Sequence, residues 1–507
     1  MNLNYVIIQA GGKGSRMKNL TRNKPKALVP VNNLPMIFYL FKKFPDKKFI
    51  IIGDYKADVL NRYLEIFADA EYISVKAECE GNVAGIRQAL EFIPDDENFL
   101  LIWSDLILGE NFSVEDLPRG NYVGVSKTFP CSWSFLDGVL EKKSVDGHGV
   151  AGCFIFEDKK IFDDLPEVGS FTRWLAGKNF ELREMSIADT VEVGTIDAFN
   201  KISPIENRCR PYNKMTFTED KVIKEALTAD AQKLLDFEID WYEKISALQT
   251  FGIPKIFSTK PLTMEKISGN NIFLTDIKDD RKPHVIKKMV DCLAAMHKLE
   301  TCAANPFDME KDYYQKTLKR VRKISPSIPF SENAFIKING KKNKNPLYHL
   351  DDFQKLTKYA QATAQPFGII HGDCTFSNTL IDDAENIFFV DARGYFGNSK
   401  LVGDTDYDWA KMYYSIVAAF DQFNVKNFSL SINDDGADFS ITPSGWEKFE
   451  NYFWSLLPSP NKSRIKFIHA IIWLSLASHC WEDYDSMCLA FYNGVELWND
   501  VLEGVLE

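Results

Sequence analysis

Over its 507 residues the chain has no CxxC pair, and its nine cysteines, an odd number, are scattered from Cys79 to Cys488. That disfavours a disulfide framework and leaves free thiols in a reducing cytoplasm as the expectation. No run approaches the ~18 uninterrupted apolar residues of a membrane span. The short apolar run Tyr5–Gln9 has neither the length nor the cleavage pattern of a signal peptide. Basic excess is also lacking: 60 Lys+Arg against 71 Asp+Glu gives a formal net charge of −11. A general nucleic-acid binder is thereby disfavoured, while local basic pockets for nucleotides are not. There is no internal repeat and no low-complexity tract.

What is present is the composition of ordinary globular protein, 45% hydrophobic and 26% charged, in a chain long enough for roughly two to four domains. Near the start, the apolar, β-branched run Tyr5–Gln9 ends in AGGKGSRM (10–17). A buried parallel strand running into such a loop suits phosphate binding: glycines let backbone N–H groups approach an anion, and a cation completes the neutralisation. No GK[ST] closes the loop as in a P-loop, and the third glycine of the dinucleotide fingerprint is missing. Further on, the apolar strand Phe99–Trp103 ends in Ser104-Asp105, placing an acid where open α/β sheets bind ligands.

The combination GGxGSRM and KPKALVPV (24–31) resembles the nucleotidyltransferase superfamily that makes nucleotide-activated sugars and phosphocholine. The resemblance runs to about residue 205 and implies an α/β domain with a doubly wound mixed sheet. It implies that Gly11, Gly12, Gly14 and Arg16 hold a nucleoside triphosphate and that Lys26 contacts phosphate near the reacting centre. EGNVAG (80–85) resembles the family's base-reading loop, with Asn82 where Thr is usual and Gly85 among the nucleotide-binding residues. Asp105 is the implied Mg²⁺ ligand. VEVGT (191–195) resembles a D-x-G-T segment with Glu192 in place of Asp; Glu192 is then a second metal ligand, or else a surface residue on an alternating strand. Lys142, in VLEKK (139–143), is the candidate for the substrate phosphate, with a solvated charge run as the alternative.

Ser203 to Asn213 is non-periodic and contains Pro and Arg, which places a boundary between domains 1–205 and 206–507. The second half contains IIHGDCTFSNTLIDDAENIFFVDARG (369–394). An Asp, an Asn five residues on and a later Asp can supply a base and two metal ligands for phosphoryl transfer. HGDxxxxN followed by a strand and Asp resembles the aminoglycoside phosphotransferase and choline kinase superfamily, which implies a bilobal α+β protein-kinase-like domain. By that resemblance Asp373 is the catalytic base and Asn378 and Asp391 hold Mg²⁺. Lys224 contacts the ATP phosphates with Glu238 as its partner and Glu243 as the fallback. Leu262–Gly269, including Glu265, is the hinge whose backbone binds adenine. His297 packs, Cys374 is a small filler, and the acids of Gly403–Lys411 steady a loop and a helix start. The Lys-rich stretch Lys337–Lys344 reads as a solvated loop. Tyr313–Lys323 reads as an amphipathic helix, and the aromatic residues near the C-terminus read as helical core. A few of those rings are candidates for an acceptor pocket, where they suit either a quaternary ammonium or a sugar face.

The two halves imply consecutive reactions. The expectation is a cytoplasmic bifunctional enzyme that phosphorylates a small hydroxyl metabolite with ATP. It then couples the phosphomonoester to a second NTP (CTP, UTP or GTP) for surface polysaccharide synthesis, with Mg²⁺ as cofactor. The acceptor is a sugar, or an amino alcohol if the enzyme is a choline or ethanolamine kinase with a cytidylyltransferase. A nucleotide-sensing or scaffold protein with one degenerate site is the alternative from another class. The oligomeric state stays open.

Overall fold

The computed structural model describes residues 3–79, 81–203, 213–248 and 252–506. By their contacts they form two units, Met1–Arg208 with Trp481–Asp485, and Cys209–Cys480 with Ser486–Glu507. The expected boundary segment lies almost wholly outside the described residues, as does Glu80.

In the first unit, Tyr5–Gln9, Lys48–Gly53, Tyr72–Lys76 and Phe99–Trp103 are parallel strands of one nine-stranded sheet. Phe99–Trp103 is followed outward by the antiparallel Gly149–Phe156, then Ser134–Leu136 and Val139–Glu141. Tyr122–Ser126 and Arg183–Ser186 extend a branch from Gly149–Phe156. The continuous apolar runs are those of strands covered on both faces: Val6, Ile7 and Ile8 of the central strand are all fully buried. Phe99, Phe154, Phe156, Phe162 and Phe171 form an aromatic core on one side of the sheet, each worth about 1.5–3 kcal/mol of burial. Gln9 is in register with Ile52 on one neighbour and Trp103 on the other. The C-terminal ends of the strands therefore finish in one row, from which the glycine loop and Asp105 depart.

The second unit opens with an antiparallel sheet in the order Asn213–Phe217, Lys221–Ala226, Leu262–Glu265, Ile256–Thr259, and the helix Ala229–Leu248 follows its first hairpin. The rest is mainly helical, with Lys282–His297, Leu350–Ala362, Thr405–Ile416 and Lys462–Ala477 around small sheets. One of these, Gly269–Asn271, Thr379–Asp382 and Ile387–Phe389, holds the strands beside the HGD loop. Arg464, fully buried, pairs with Asp404 and Asp406, and Tyr313 Oη donates to Asp404 at 2.6 Å. Asp404 also caps the helix Thr405–Ile416 by accepting from the Asp406 N–H. Among the described residues no helix is long and apolar enough to cross a membrane.

Two sequence expectations need correction here. Lys337–Lys344 is no loop: Phe335–Ile338 and Lys341–Lys344 form a hairpin joined to the pair Phe428–Ile432 and Ala437–Ile441. Asn339 and Gly340 have φ of 48° and 78°, as a two-residue type I′ turn requires. Ile336, Ile338 and Asn343 point inward, so Lys337, Lys342 and Lys344 occupy the outward half of a period-2 pattern. Tyr313–Lys323 is not one α-helix either. A π-helical turn, Glu310–Gln315, precedes the α-helix Lys316–Ile324.

Buried inside the helical core, His469 accepts from the Trp473 indole N–H at 2.9 Å. Burial first, and then the lysines Lys466 and Lys411, pull its pKa down to about 3. The unfolded chain takes up this proton near pH 6.5 and the folded one does not. The stabilisation is therefore complete above about pH 6.5 and is lost as pH falls toward the folded value. Thermal melts of wild type and His469→Gln between pH 7.5 and 5 check this: the wild-type midpoint should fall more steeply with acidification than the variant's.

Candidate active sites

The glycine loop of the first unit has little room for side chains. A Cβ on Gly11 would lie 2.6 Å from Asp54 Cβ, while one on Gly12 would meet nothing. Gly14 has φ of +62°, and its Cβ would come within 3.0 Å of Thr21 Cγ2. The loop borders a cavity of about 420 Å³ with Gln9, Arg16, Lys26 and Asp105. A second cavity, of about 450 Å³, shares Arg16, Asn82, Trp103, Asp105 and Gly194 with the first. It continues to Trp133, Thr172 and Glu192. Arg16 and Asp105 thus stand where the two spaces meet.

Lys26 Nζ is ion-paired with the Asp105 carboxylate. Glu192 lies 3.9 Å from an Arg16 nitrogen. Its pKa is raised, by burial first and then by the Asp105 charge, with Lys26 and Arg16 offsetting only part. Two carboxylates under mutual repulsion suit a hard divalent cation, and Mg²⁺ commonly takes one or two carboxylates and completes its shell with substrate phosphates. Lys24, the other lysine of the KPK segment, faces away. It is fully buried within the same unit, 3.4 Å from Asp483 and paired with the Asp485 carboxylate. Burial would lower its pKa, but those two acids raise it overall.

Other expected residues fall elsewhere. Gly85, with φ of 80°, packs its α-carbon against Ile52 and does not line the cavity; Gly81, Asn82 and Ala84 do. Asn82 acts as a brace: its side-chain oxygen accepts from the Phe171 N–H at 2.8 Å and its carbonyl accepts from Gln9 Nε2 at 2.8 Å. Gly81 also bridges Gly169. Lys142 is exposed beyond the edge strand Val139–Glu141 and lines neither cavity. Among the described residues that strand pairs only with its hairpin partner, and the lysine is carried out to solvent.

In the second unit, Asp373, Asp391, Lys224 and Glu238 line one cavity of about 570 Å³. Lys224 Nζ lies 2.6 Å from Glu238 and is paired with Asp391. Burial would lower the Lys224 pKa, but Asp391 and Glu238 raise it. Burial and the Asp391 charge push Glu238 up to about 7, with Lys224 offsetting part of the rise. Glu243, on the same helix, is exposed. Asp373 accepts from Asn378 Nδ2 at 2.8 Å, and Lys411 Nζ is 2.8 Å from its other oxygen. The loop itself hangs from Asp408, which accepts the N–H groups of His371 and Gly372 at 2.9 and 2.7 Å and sits 3.0 Å from His297 Nε2. Burial would raise the Asp408 pKa, but the hydrogen bond and charge of His297 hold it low. His297 is thus more than packing: it fixes the acid that fixes the loop.

The oxygen donors Asn378 and Asp391 suit a hard cation, although Asn378 turns its amide toward Asp373 and does not itself line the cavity. The expected hinge does not present a free donor at its start. The Glu265 N–H donates to the Lys255 carbonyl and the Lys266 N–H to the Asp220 carbonyl, both just beyond the strand ends. The Glu265 side chain accepts from the Lys255 N–H at 3.2 Å, and Glu265 is not among the cavity residues. Sequence reasoning missed Gln9, Arg393, Lys316 and Arg320, all of which line cavities. Gln9 was visible as the polar end of an apolar strand, and Arg393 as the neighbour of Asp391. Lys316 and Arg320 carried no signal beyond helical spacing.

A family model for nucleotidyl transferases matches residues 5–115. The D-glycero-alpha-D-manno-heptose 1-phosphate guanylyltransferase of Campylobacter jejuni is 30% identical over 190 residues, covering 34% of this chain and 84% of that protein. The UTP–glucose-1-phosphate uridylyltransferase AglF of Haloferax volcanii is 29% identical over 113 residues, 21% of this chain and 45% of that one. The chain therefore spans under half the length of AglF. Among solved structures, HddC from Yersinia pseudotuberculosis is 20% identical with a TM-score of 0.35, covering 40% of this chain and 98% of that one. Through its first unit, with the glycine loop, Lys26 and Asp105 gathered on one cavity, the chain belongs to the nucleotidyl transferase family.

Proposed function

We propose that the chain is a bifunctional enzyme, with a nucleotidyltransferase domain at 1–205 and a bilobal small-molecule kinase domain at 206–507. The second domain phosphorylates a hydroxyl metabolite with ATP. The first couples the resulting phosphomonoester to CTP, UTP or GTP, giving an NDP-sugar and pyrophosphate for cytoplasmic supply of surface polysaccharide precursors. The observation that carries the coupled reading is the convergence of Asp373, Asp391 and the Lys224–Glu238 pair on one cavity, in a chain whose other unit is a nucleotidyltransferase. The relatives' printed sugar 1-phosphate activities support a sugar-derived intermediate.

In the second domain, Asp373 takes the acceptor's proton as its oxygen bonds to the γ-phosphorus; the bond to the β-phosphate oxygen breaks and ADP leaves. Lys411 and Asn378 hold the Asp373 carboxylate toward the cavity, and Lys224 orients the ATP phosphates. In the first domain, a phosphomonoester oxygen attacks the α-phosphorus, and the bond to the pyrophosphate leaving group breaks without a covalent enzyme intermediate. Arg16 and Lys26 position the phosphates and offset developing charge. Mg²⁺, held by Asp105 and Glu192 in one site and by Asn378 and Asp391 in the other, would supply neutralisation of phosphate charge.

Incubation with ATP, a second NTP and a panel of sugars and amino alcohols, read by mass spectrometry, should yield an NDP-linked product; its absence across the panel counts against the proposal. Asp373→Asn should lower phosphorylation by about 10²–10⁴-fold and leave nucleotidyl transfer from supplied phosphomonoester intact. Asp105→Ala should show the reverse, and loss of both activities in either variant contradicts two separate sites.

The two lysines of the KPK segment give a paired check. Lys26→Met should cost about 10²–10³-fold in nucleotidyl transfer, with a smaller loss of stability than at Lys24 because Asp105 borders an open cavity. Lys24→Met should destabilise the fold by about 3–5 kcal/mol, because buried acids lose their counter-charge. Chemical denaturation and kinetics on both variants separate the roles, and equal kinetic losses at unchanged stability would contradict the assignment.

A further inference from the structure

The cavity that holds Asp373 has a second charged end. On the helix that follows the π-helical turn, Lys316 and Arg320 face the same space as Asp312 and Arg393. Asp312 is bonded by Arg393 at 2.7 Å and by Lys316 at 2.6 Å. It is thus the shared counter-charge of two cations. Arg320 also lines the cavity, and among the described residues it makes no hydrogen bond or ion pair. Burial first, then repulsion from Arg393, pulls Lys316 well below its ordinary range, and burial also lowers Arg320. Even leaving Lys316 aside, the two guanidiniums of Arg393 and Arg320 outnumber the single carboxylate of Asp312 at this end.

The aromatic faces at this end are taken by the protein's own cations. Arg393 Cζ lies 4.3 Å from the Tyr395 ring centre and 5.3 Å from that of Tyr407. A quaternary ammonium would have to share these rings with a guanidinium and would be repelled by it. Arg320 instead offers an unused planar fork of N–H donors, the geometry that binds carboxylate or phosphate bidentately.

We propose that this end of the cavity binds an oxyanion, a carboxylate or phosphate carried by the acceptor, so that the hydroxyl compound facing Asp373 is an anion. The assignment rests on the kinase reading for the reaction but not for the binding. The acceptor class is therefore hydroxy acids, sugar acids or sugar phosphates, and choline and ethanolamine are excluded as preferred acceptors.

The test uses the full chain, wild type, Arg320→Ala and Arg320→Lys, with folding checked by thermal melts. Binding of glycerate, hexose 6-phosphate and inorganic phosphate is measured by calorimetry without nucleotide. ADP release is then followed with ATP and each of glycerate, hexose 6-phosphate, a neutral hexose and choline. The expected result is anion binding that Arg320→Ala weakens at least tenfold and Arg320→Lys partly restores. Acceptor KM should rise at least tenfold in Arg320→Ala, while the KM for ATP stays within twofold. Preference for glycerate over hexose 6-phosphate, or the reverse, identifies the carboxylate or the phosphate as the recognised group. Choline or the neutral hexose as best acceptor, no anion binding by wild type, or an Arg320→Ala effect confined to the KM for ATP would each overturn the proposal. Arg320-dependent anion binding with no phosphorylation of any acceptor would support the anion pocket and sink the kinase reading.

Discussion

A buried carboxylate must have a counter-charge before any ligand arrives, and this requirement shapes both sites. In the first unit Lys26 sits on Asp105; in the second Lys224 sits between Glu238 and Asp391. Lys224 and Glu238 are both buried, where an unpaired charge is costly, whereas Asp391 is half exposed and Asp105 borders an open cavity. The lysines therefore hold the acids in place, and any anion that enters either cavity competes with those acids for the lysine. Each site is assembled as a latent ion pair, and binding exchanges one set of partners for another.

Around each pair the backbone is fixed by groups that do not face the cavity. In the second unit one acid, Asp408, takes two successive N–H groups of the HGD loop and is itself held by His297. Behind it, Arg464 ties Asp404 and Asp406 to the start of the same helix. Such fully partnered polar networks specify a single geometry, whereas losing one member leaves a buried charge alone. In the first unit the work is steric and conformational: a side chain at Gly11 would collide with Asp54, and Gly14 holds a left-handed φ in a tight fit against Thr21 and Lys26.

The sequence was most legible where local chemistry and long-range structure agree. Apolar runs ending in glycine or aspartate located the strands and, with them, Asp105 and Asp391, while motif resemblance singled out Arg16, Lys26 and Asp373. It was least legible where a tertiary neighbour decides. Nothing local distinguishes Lys24 from Lys26, since the difference is a pair of acids more than 450 positions away. Lys142 and Glu265 sat in the right motif and the wrong place, one beyond an edge strand and the other absorbed into sheet pairing. The Asn339-Gly340 turn was a readable hairpin signal hidden by the lysines around it. Arg320 was unreadable, because an unpaired charge is defined by what is missing around it.

Asn82 and Gly81 have a mechanical consequence. Both border the cavity of the glycine loop, and through Phe171 and Gly169 they grip the segment that carries Ser170 and Thr172 into the second cavity. The two spaces therefore share one party wall, not two separate linings. The Asn82 amide and the Gly81–Gly169 bridge tie the two linings together, so the segment around Ser170 and Thr172 cannot swing away from the first cavity without breaking them.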